Sequence, residues 1–348
     1  MILNKASFIS ADIVQTSEVK RHYAVLWYDI RVRNNQPFPS KTVANVGDEI
    51  QSLASASWLP YVDVHVERDN LTSASLDSFP EKGVKTFMNG WYGSKNMPWP
   101  PSKSIDPISL AMHIEPSVFH IFASSASIEY FKAGETLVGA RDTSTESFLS
   151  SNGLRTFFSG CMTLTTYRIE NSESRDPDCD YLFVDISDIA YAQLPEQVKK
   201  NAACRVSHRL EGDEDVLRGK VRFLKAFQML QSYSSAKVVV TSRLHSALPA
   251  SSMGVTVIMI QSQSLPGGGT GKGNNRFSGL DKIFFTVEEE DMQRKLHGFN
   301  WKQPPSNPGA SLIQKFRCNI LAFLKQYHSD LMDAVAIFDL HGVFDSCN

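Results

Sequence analysis

An α/β fold in two halves is what this sequence predicts. Short β-branched runs alternate with amphipathic helical stretches, the pattern of open, mostly parallel sheets. The alternation occurs twice, with a charged, Pro-containing stretch, Asn171–Asp180, between the two series. The halves are therefore placed at residues 1–172 and 173–348, a late helix being counted in the second.

In the first half, His22–Val32 is rich in β-formers and reads as a buried strand. Asn45–Leu59 reads as a helix entered through a Gly turn, with Ile50, Leu53, Ala54 and Ser57 at helical spacing. "YVDVHVER" alternates as a strand, and Val84–Gly93 and Pro107–Ile114 give two more. Ile128–Gly153 predicts helix, strand, then a helix starting near Thr143–Thr145 and closed by Gly153. In the second half, Tyr181–Ser187, Ala236–Ser242 and Gly254–Ile260 are strands. Asp213–Tyr233 is an amphipathic helix with Val216, Val221, Leu224, Phe227 and Leu230 mostly on one side. Ser311–His328 is the late helix. Ligands of such sheets sit beyond the carboxyl ends of the strands, so the cleft between the halves is the expected site.

Composition narrows the function. Hydrophobic content of 42% and charged content of 21% are those of an ordinary globular protein. A net charge of −2 argues against a broad nucleic-acid-binding face. The N-terminal stretch is too interrupted by polar residues for a signal peptide, and nothing approaches the ~18 apolar residues of a membrane span. The five cysteines are scattered and form no CxxC pair. Reduced thiols, no zinc site and a cytoplasmic location are the expectation.

The strongest local signal is Lys237–Gly254, where a β-branched run ends directly in Arg243 and His245. Thr241 and Ser242 are good helix N-caps, and a helix start offers free N–H groups to an anion. Arg243 supplies a planar fork for carboxylate or phosphate, and His245 a donor or proton carrier. Pro249 disfavours helix at Leu248, so Arg243 and His245 are expected on an extended stretch, facing the same way. The alternative is a structural ion pair for Arg243 and a backbone partner for His245.

Three further places carry polar groups toward the expected cleft. Asn45, Gly47 and Asp48 form a turn opening a helix, which either presents N–H groups and a carboxylate or is an ordinary Asx turn. Arg141 and Asp142 end a strand, as either a surface pair or a second anion ligand. His113 ends another strand, where a structural role is the plainer one. Trp91 and Trp99 lie near small residues, suiting either a sugar platform or packing. "PGGGTGKGNNRF", Pro266–Phe277, is not a P-loop: Pro266 stands at the first Gly position and Gly273 follows Lys272. It reads as a Gly-rich loop near the cleft, with Lys272 and Arg276 as possible anion contacts.

Taken in order, "NVGDEIQ", "NGWYG…WPPS…IDPISLAMH", "YFKAGETLVGARDTSTESFLSSNGL", "FSGCMTLT" and "VVVTSRLHSALPA…GVTVIMI" resemble the polysaccharide pyruvyl transferase family. The resemblance spans roughly Ala44–Leu280. It implies two Rossmann-like domains facing a cleft, as in GT-B glycosyltransferases, with an acceptor side in the first half and a donor side in the second. It implies phosphoenolpyruvate as co-substrate, no other cofactor or metal, and a sugar acceptor in a glycan or lipid-linked precursor. The Arg-Leu-His element of the family falls on Arg243, Leu244 and His245, with Leu244 packing behind the pair. On this reading Arg243, Leu244, Arg141, Asn45 and Gly47 bind the donor, and Trp91 and Trp99 line the acceptor path. His245, Asp48 and His113 are the acid–base candidates. A nucleotide-sugar glycosyltransferase and a non-catalytic glycan binder of the same fold are the competing readings. A membrane-peripheral or, in a eukaryote, Golgi setting is the alternative to the cytosol.

Overall fold

The computed structural model describes residues 21–28, 42–134, 137–169, 179–200, 203–212, 219–261, 277–332 and 347. The Gly-rich segment with Lys272 and Arg276 lies outside them, as do most of Asn171–Asp180, the end of the expected first strand and the expected helix start at 213–218.

The first half holds β1 (His22–Trp27), β2 (Thr42–Asn45), α1 (Gly47–Ala56), β3 (Val64–Glu67) and β4 (Val84–Phe87). After them come β5 (Trp91–Tyr92), β6 (Ile105–Ile108), β7 (His113–Ile114), β8 (Val138–Ala140), α2 (Thr143–Ser151) and β9 (Thr156–Phe158). Its main sheet is parallel, in the order β3-β1-β4-β6. The expected strands Val84–Gly93 and Pro107–Ile114 each break in two, giving β4 with β5 and β6 with β7; β5 and β7 pair with each other. Helix α2 starts where expected because Asp142 caps it, its carboxylate accepting from the Thr145 N–H at 2.9 Å. Gly153, at φ 75°, takes the left-handed position just past its end.

The second half holds β10 (Tyr181–Val184), β11 (Ala203–Val206), β12 (Arg209–Gly212), α3 (Gly219–Ser235) and β13 (Val238–Thr241). Helix α4 (Leu244–Ser252), β14 (Thr256–Gln261), β15 (Phe285–Glu288) and α5 (Ala310–Tyr327) complete it. Its five strands are all parallel, in the order β11-β10-β13-β14-β15. Strand β13 is buried along its whole length, which is why it reads as a continuous β-branched run rather than an alternation. Val221 and Leu224, expected on the apolar face of α3, are exposed, while Arg222 is buried.

A strand pair and a helix are among the connections that tie the halves together. β2 pairs antiparallel with β12, setting Asn45 opposite Arg209. Helix α5 then spans both cores. Ile313 and Phe316 pack with Leu182, Val239 and Leu248 of the second half. One turn further on, Ile320, Leu321, Phe323 and Leu324 pack with Val25, Trp58, Phe87 and Ile108 of the first. Just past it, Asp330 takes the buried Lys85 ammonium of β4 at 2.7 Å. The late helix thus belongs to both halves.

Four of the five cysteines correct the expectation of reduced thiols. Cys179 is bonded to Cys204 and Cys318 to Cys347, leaving Cys161 free and buried. The partners stand 25 and 29 residues apart, a spacing that carries no motif, and only the fold brings them together. Loops of that size contribute about 3–4 kcal/mol per bridge in the chain-entropy account. Dithiothreitol is therefore expected to lower Tm. An unchanged Tm, with full alkylation of the native protein without reductant, would show that the bridges do not form. Among the described residues no helix is long and apolar enough to cross a membrane, and no group of three His, Cys, Asp or Glu is placed to hold a metal.

Candidate active site

Both sheets share one connectivity: the second strand in chain order lies outside the first, and the third and fourth follow on the other side. Such an order reverses direction between its first and third strands, and the crevice past their carboxyl ends is where ligands bind. In the second half the reversal falls between β10 and β13, whose next residues include Asp185 and Arg243.

Asp185 organises that end. It adopts φ 50°, a left-handed conformation Asp tolerates, which swings its carboxylate back across the strand ends. The carboxylate accepts from Ser207 Oγ at 2.5 Å, the His208 N–H at 3.0 Å and Arg243 Nε at 2.9 Å. Its carbonyl accepts from Ser242 Oγ at 2.8 Å. Arg243 thus has the ion pair of the structural alternative, made through Nε alone. The far end of the fork carries two nitrogens suited to an end-on anion.

Helix α4 starts at Leu244, earlier than Pro249 suggests. Pro249 sits in its second turn, where it removes a single bond, the one its N–H would give the His245 carbonyl. Arg243, not Thr241 or Ser242, is the N-cap, in extended conformation. Thr241 Oγ1 instead accepts from the Arg243 N–H at 2.9 Å. So Arg243 and His245 do not share an extended stretch; the chain bends between them. Leu244 is buried in the core of the second half, behind the pair.

His245 meets the first half at Gly47. A Cβ placed on Gly47 would stand 3.2 Å from His245 Cβ, 3.2 Å from Asn45 Oδ1 and 3.0 Å from His208 Nδ1. Only glycine lets α1 approach this closely. Asn45 makes the ordinary Asx contact, accepting from the Gly47 N–H at 3.2 Å. His208, which the sequence reading passed over, is buried, with Nε2 against Tyr233 Oη at 2.6 Å and Ser246 Oγ at 2.9 Å. Burial holds its pKa down to about 4, so it is neutral near pH 7. A histidine between two four-residue strands carried no motif; only the fold shows it.

Beyond the first sheet stands a second polar group. Arg141 follows β8 and is fully buried; none of its three guanidinium nitrogens has a hydrogen-bond partner among the described residues. Its nearest carboxylate is Asp142, 4.0 Å from Nε. Asp142 is taken up by His113, whose Nδ1 is 2.5 Å away, while His113 Nε2 faces Glu115 at 3.3 Å. Asp142 keeps a low pKa although burial pushes it up, because the hydrogen bond and charge of His113 outweigh desolvation, with Arg141 adding to them. Asp48, in the first turn of α1, is buried. Next to it Glu49 pairs with the buried Arg222 of α3, yet burial pushes its carboxyl up to about 8. Asp48, Glu49, Arg68 and Arg141 all bear electrostatically on the buried Tyr28 hydroxyl, whose pKa burial raises most.

The two tryptophans part company. Trp91 donates to Glu115 at 3.0 Å and has the Arg68 guanidinium over its ring, 5.4 Å from the centroid. Trp99 packs among Tyr92, Phe122, Tyr130 and Phe131. Its ring is committed to that aromatic core, so packing is its structural role.

Fold and site together define an α/β protein with cationic groups past the carboxyl ends of two parallel sheets, an arrangement suited to small anions. The chain belongs to the polysaccharide pyruvyl transferase family, whose model matches residues 45–264, from Asn45 to beyond β14. It is thereby placed in a family of transferases of polysaccharide biosynthesis. No curated protein matches it.

Proposed function

We propose that the protein transfers the pyruvyl group of phosphoenolpyruvate to two hydroxyls of one sugar in a glycan or glycan precursor, forming a cyclic ketal. The observation that carries this reading is Arg141, a fully buried guanidinium with no hydrogen-bond partner among the described residues. A buried charge in that state costs several kcal/mol unless an anion completes it. Phosphoenolpyruvate has a carboxylate and a phosphate on three carbons, so it needs two cationic anchors. Arg243, held through Nε by Asp185, is the second. The two sheets then act as Rossmann-like halves of a GT-B-like cleft.

In the reaction the methylene carbon takes a proton and one sugar hydroxyl bonds to C2. The second hydroxyl then displaces phosphate, breaking the C2–O bond. Of the two hydroxyl protons, one is balanced by that on the new methyl group and one by that on phosphate. His245, on the first turn of α4, is the acid that protonates the methylene carbon, and Asp48 and His113 are the candidate bases for the acceptor hydroxyls. The two guanidiniums offset most of the donor's carboxylate and phosphate charge. The two disulfides favour an oxidising, secretory compartment over the cytosol.

The test incubates the protein with phosphoenolpyruvate and methyl galactosides or mannosides. Phosphate release together with a pyruvyl ketal on the glycoside is expected. Turnover with a sugar nucleotide instead would refute the assignment.

A further inference from the structure

The reversal of strand order in the first sheet falls between β1 and β4, and a set of buried polar atoms lies just past their ends. Tyr28 follows β1, Arg68 follows β3 and Asn89 follows β4, while Gln51 comes from α1. All four residues are nine-tenths or more buried. Tyr28 Oη, Arg68 Nη1, Asn89 Oδ1 and Gln51 Oε1 have no hydrogen-bond partner among the described residues.

These residues form one connected patch. Asn89 Nδ2 donates to the Gln51 carbonyl at 2.9 Å, which leaves Oδ1 as the acceptor without a partner among the described residues. Gly90 lies against the Arg68 stem, a Cβ there standing 3.3 Å from Arg68 Cδ. The Arg68 guanidinium lies over the Tyr28 ring, 4.6 Å from its centroid. Its Nε and Nη2 are used on Asp69, at 2.9 and 2.8 Å, so Nη1 alone is left over and the charge is already matched.

We infer that this patch is a subsite for the hydroxyls of a neutral hexopyranoside, the acceptor of the proposed transfer, on which reading this assignment rests. The chemistry selects that ligand class. Two amide acceptors, one donor from a charge-neutralised guanidinium and one hydroxyl able to do either match a polyhydroxylated ring. An anion is disfavoured, since Asp69 cancels Arg68 and the two amides present oxygen. Leaving four such atoms unsatisfied in an empty protein costs free energy that a ligand's hydroxyls recover.

Tyr28→Phe separates this subsite from a structural role, because it removes an oxygen that has no hydrogen-bond partner among the described residues. A merely structural Tyr28 predicts equal or higher Tm and unchanged ligand binding. The subsite predicts an unchanged or higher Tm together with about 3–10-fold weaker binding of methyl β-galactopyranoside or methyl α-mannopyranoside, the loss expected for one hydrogen bond. Binding is read by saturation-transfer NMR without phosphoenolpyruvate, so the result does not depend on turnover. Asn89→Ala is expected to weaken the same glycoside. Tyr92→Phe, which removes a hydroxyl donating to the Met88 carbonyl, serves as control and lowers Tm only. In the transfer assay, Tyr28→Phe raises KM for the glycoside and not for phosphoenolpyruvate. Glycoside binding unaffected in both Tyr28→Phe and Asn89→Ala would overturn the subsite and assign the patch to buried water. A raised KM for phosphoenolpyruvate alone would overturn it in favour of the donor. If the wild type binds glycoside through Tyr28 but transfers nothing from phosphoenolpyruvate, the transfer reading fails and the subsite stands.

Discussion

Arg141→Met is expected to lose phosphoenolpyruvate turnover and gain stability. Met keeps much of the side-chain volume and removes the charge. That charge is buried; among the described residues its one carboxylate within 4.0 Å is Asp142, which is already bonded to His113. Replacing a poorly compensated buried ion by a well-packed apolar group stabilises by about 1–4 kcal/mol where it has been examined. In the donor complex the same change removes two or more charged hydrogen bonds, each contributing about 1.5–3 kcal/mol. The combined effect on kcat/KM is roughly 10²–10⁴-fold. Thermal unfolding and steady-state kinetics on one preparation check both signs. Lower stability with near-normal kinetics would make Arg141 a structural residue and remove the main support for the donor site.

The second large effect is expected at His245→Ala. Alanine keeps the Cβ that packs against Gly47, so the contact between α4 and α1 survives. A positioned acid–base histidine contributes about 10²–10⁴-fold to rate. The loss should appear in kcat, with KM for phosphoenolpyruvate changed little and Tm held. His208 is the contrast, since its ring holds Tyr233 and Ser246 together and is kept neutral by burial. His208→Ala should therefore act first on Tm. A His245→Ala enzyme with near-normal kcat would move the acid–base role elsewhere, and the His113–Asp142 pair would be the next to test.

What could be read from the sequence follows the range of the signal. Runs such as Val238–Val240 and the capped start of α2 at Asp142 depend on neighbours in the chain, and they came out correctly. Arg141 and Arg243 were legible as charged groups just past strand ends, where ligands gather, and His245 as a histidine beside Arg243. Three things were not. Strands β11, β12 and β15 are four residues each and owe their state to pairing rather than pattern. Asp185, His208, Tyr28 and Asn89 matter through partners distant in sequence, which no local motif encodes. The Arg243–His245 geometry turned on Pro249, whose local preference against helix yields to a helix buried along its length.

Helix α5 has a consequence for how the molecule is made. One hydrophobic core of the first half is closed by Ile320, Leu321, Phe323 and Leu324, and by Leu331 just beyond. A ribosome releases those residues some 300 positions after Val25, with which they pack. Among the described residues, the first strand therefore waits for the last α-helix, and this core of the amino-terminal half is completed only after α5 is synthesised. Until α5 emerges, Trp58, Phe87 and Ile108 lack part of their apolar cover, and this is the interval in which a nascent chain would need a chaperone.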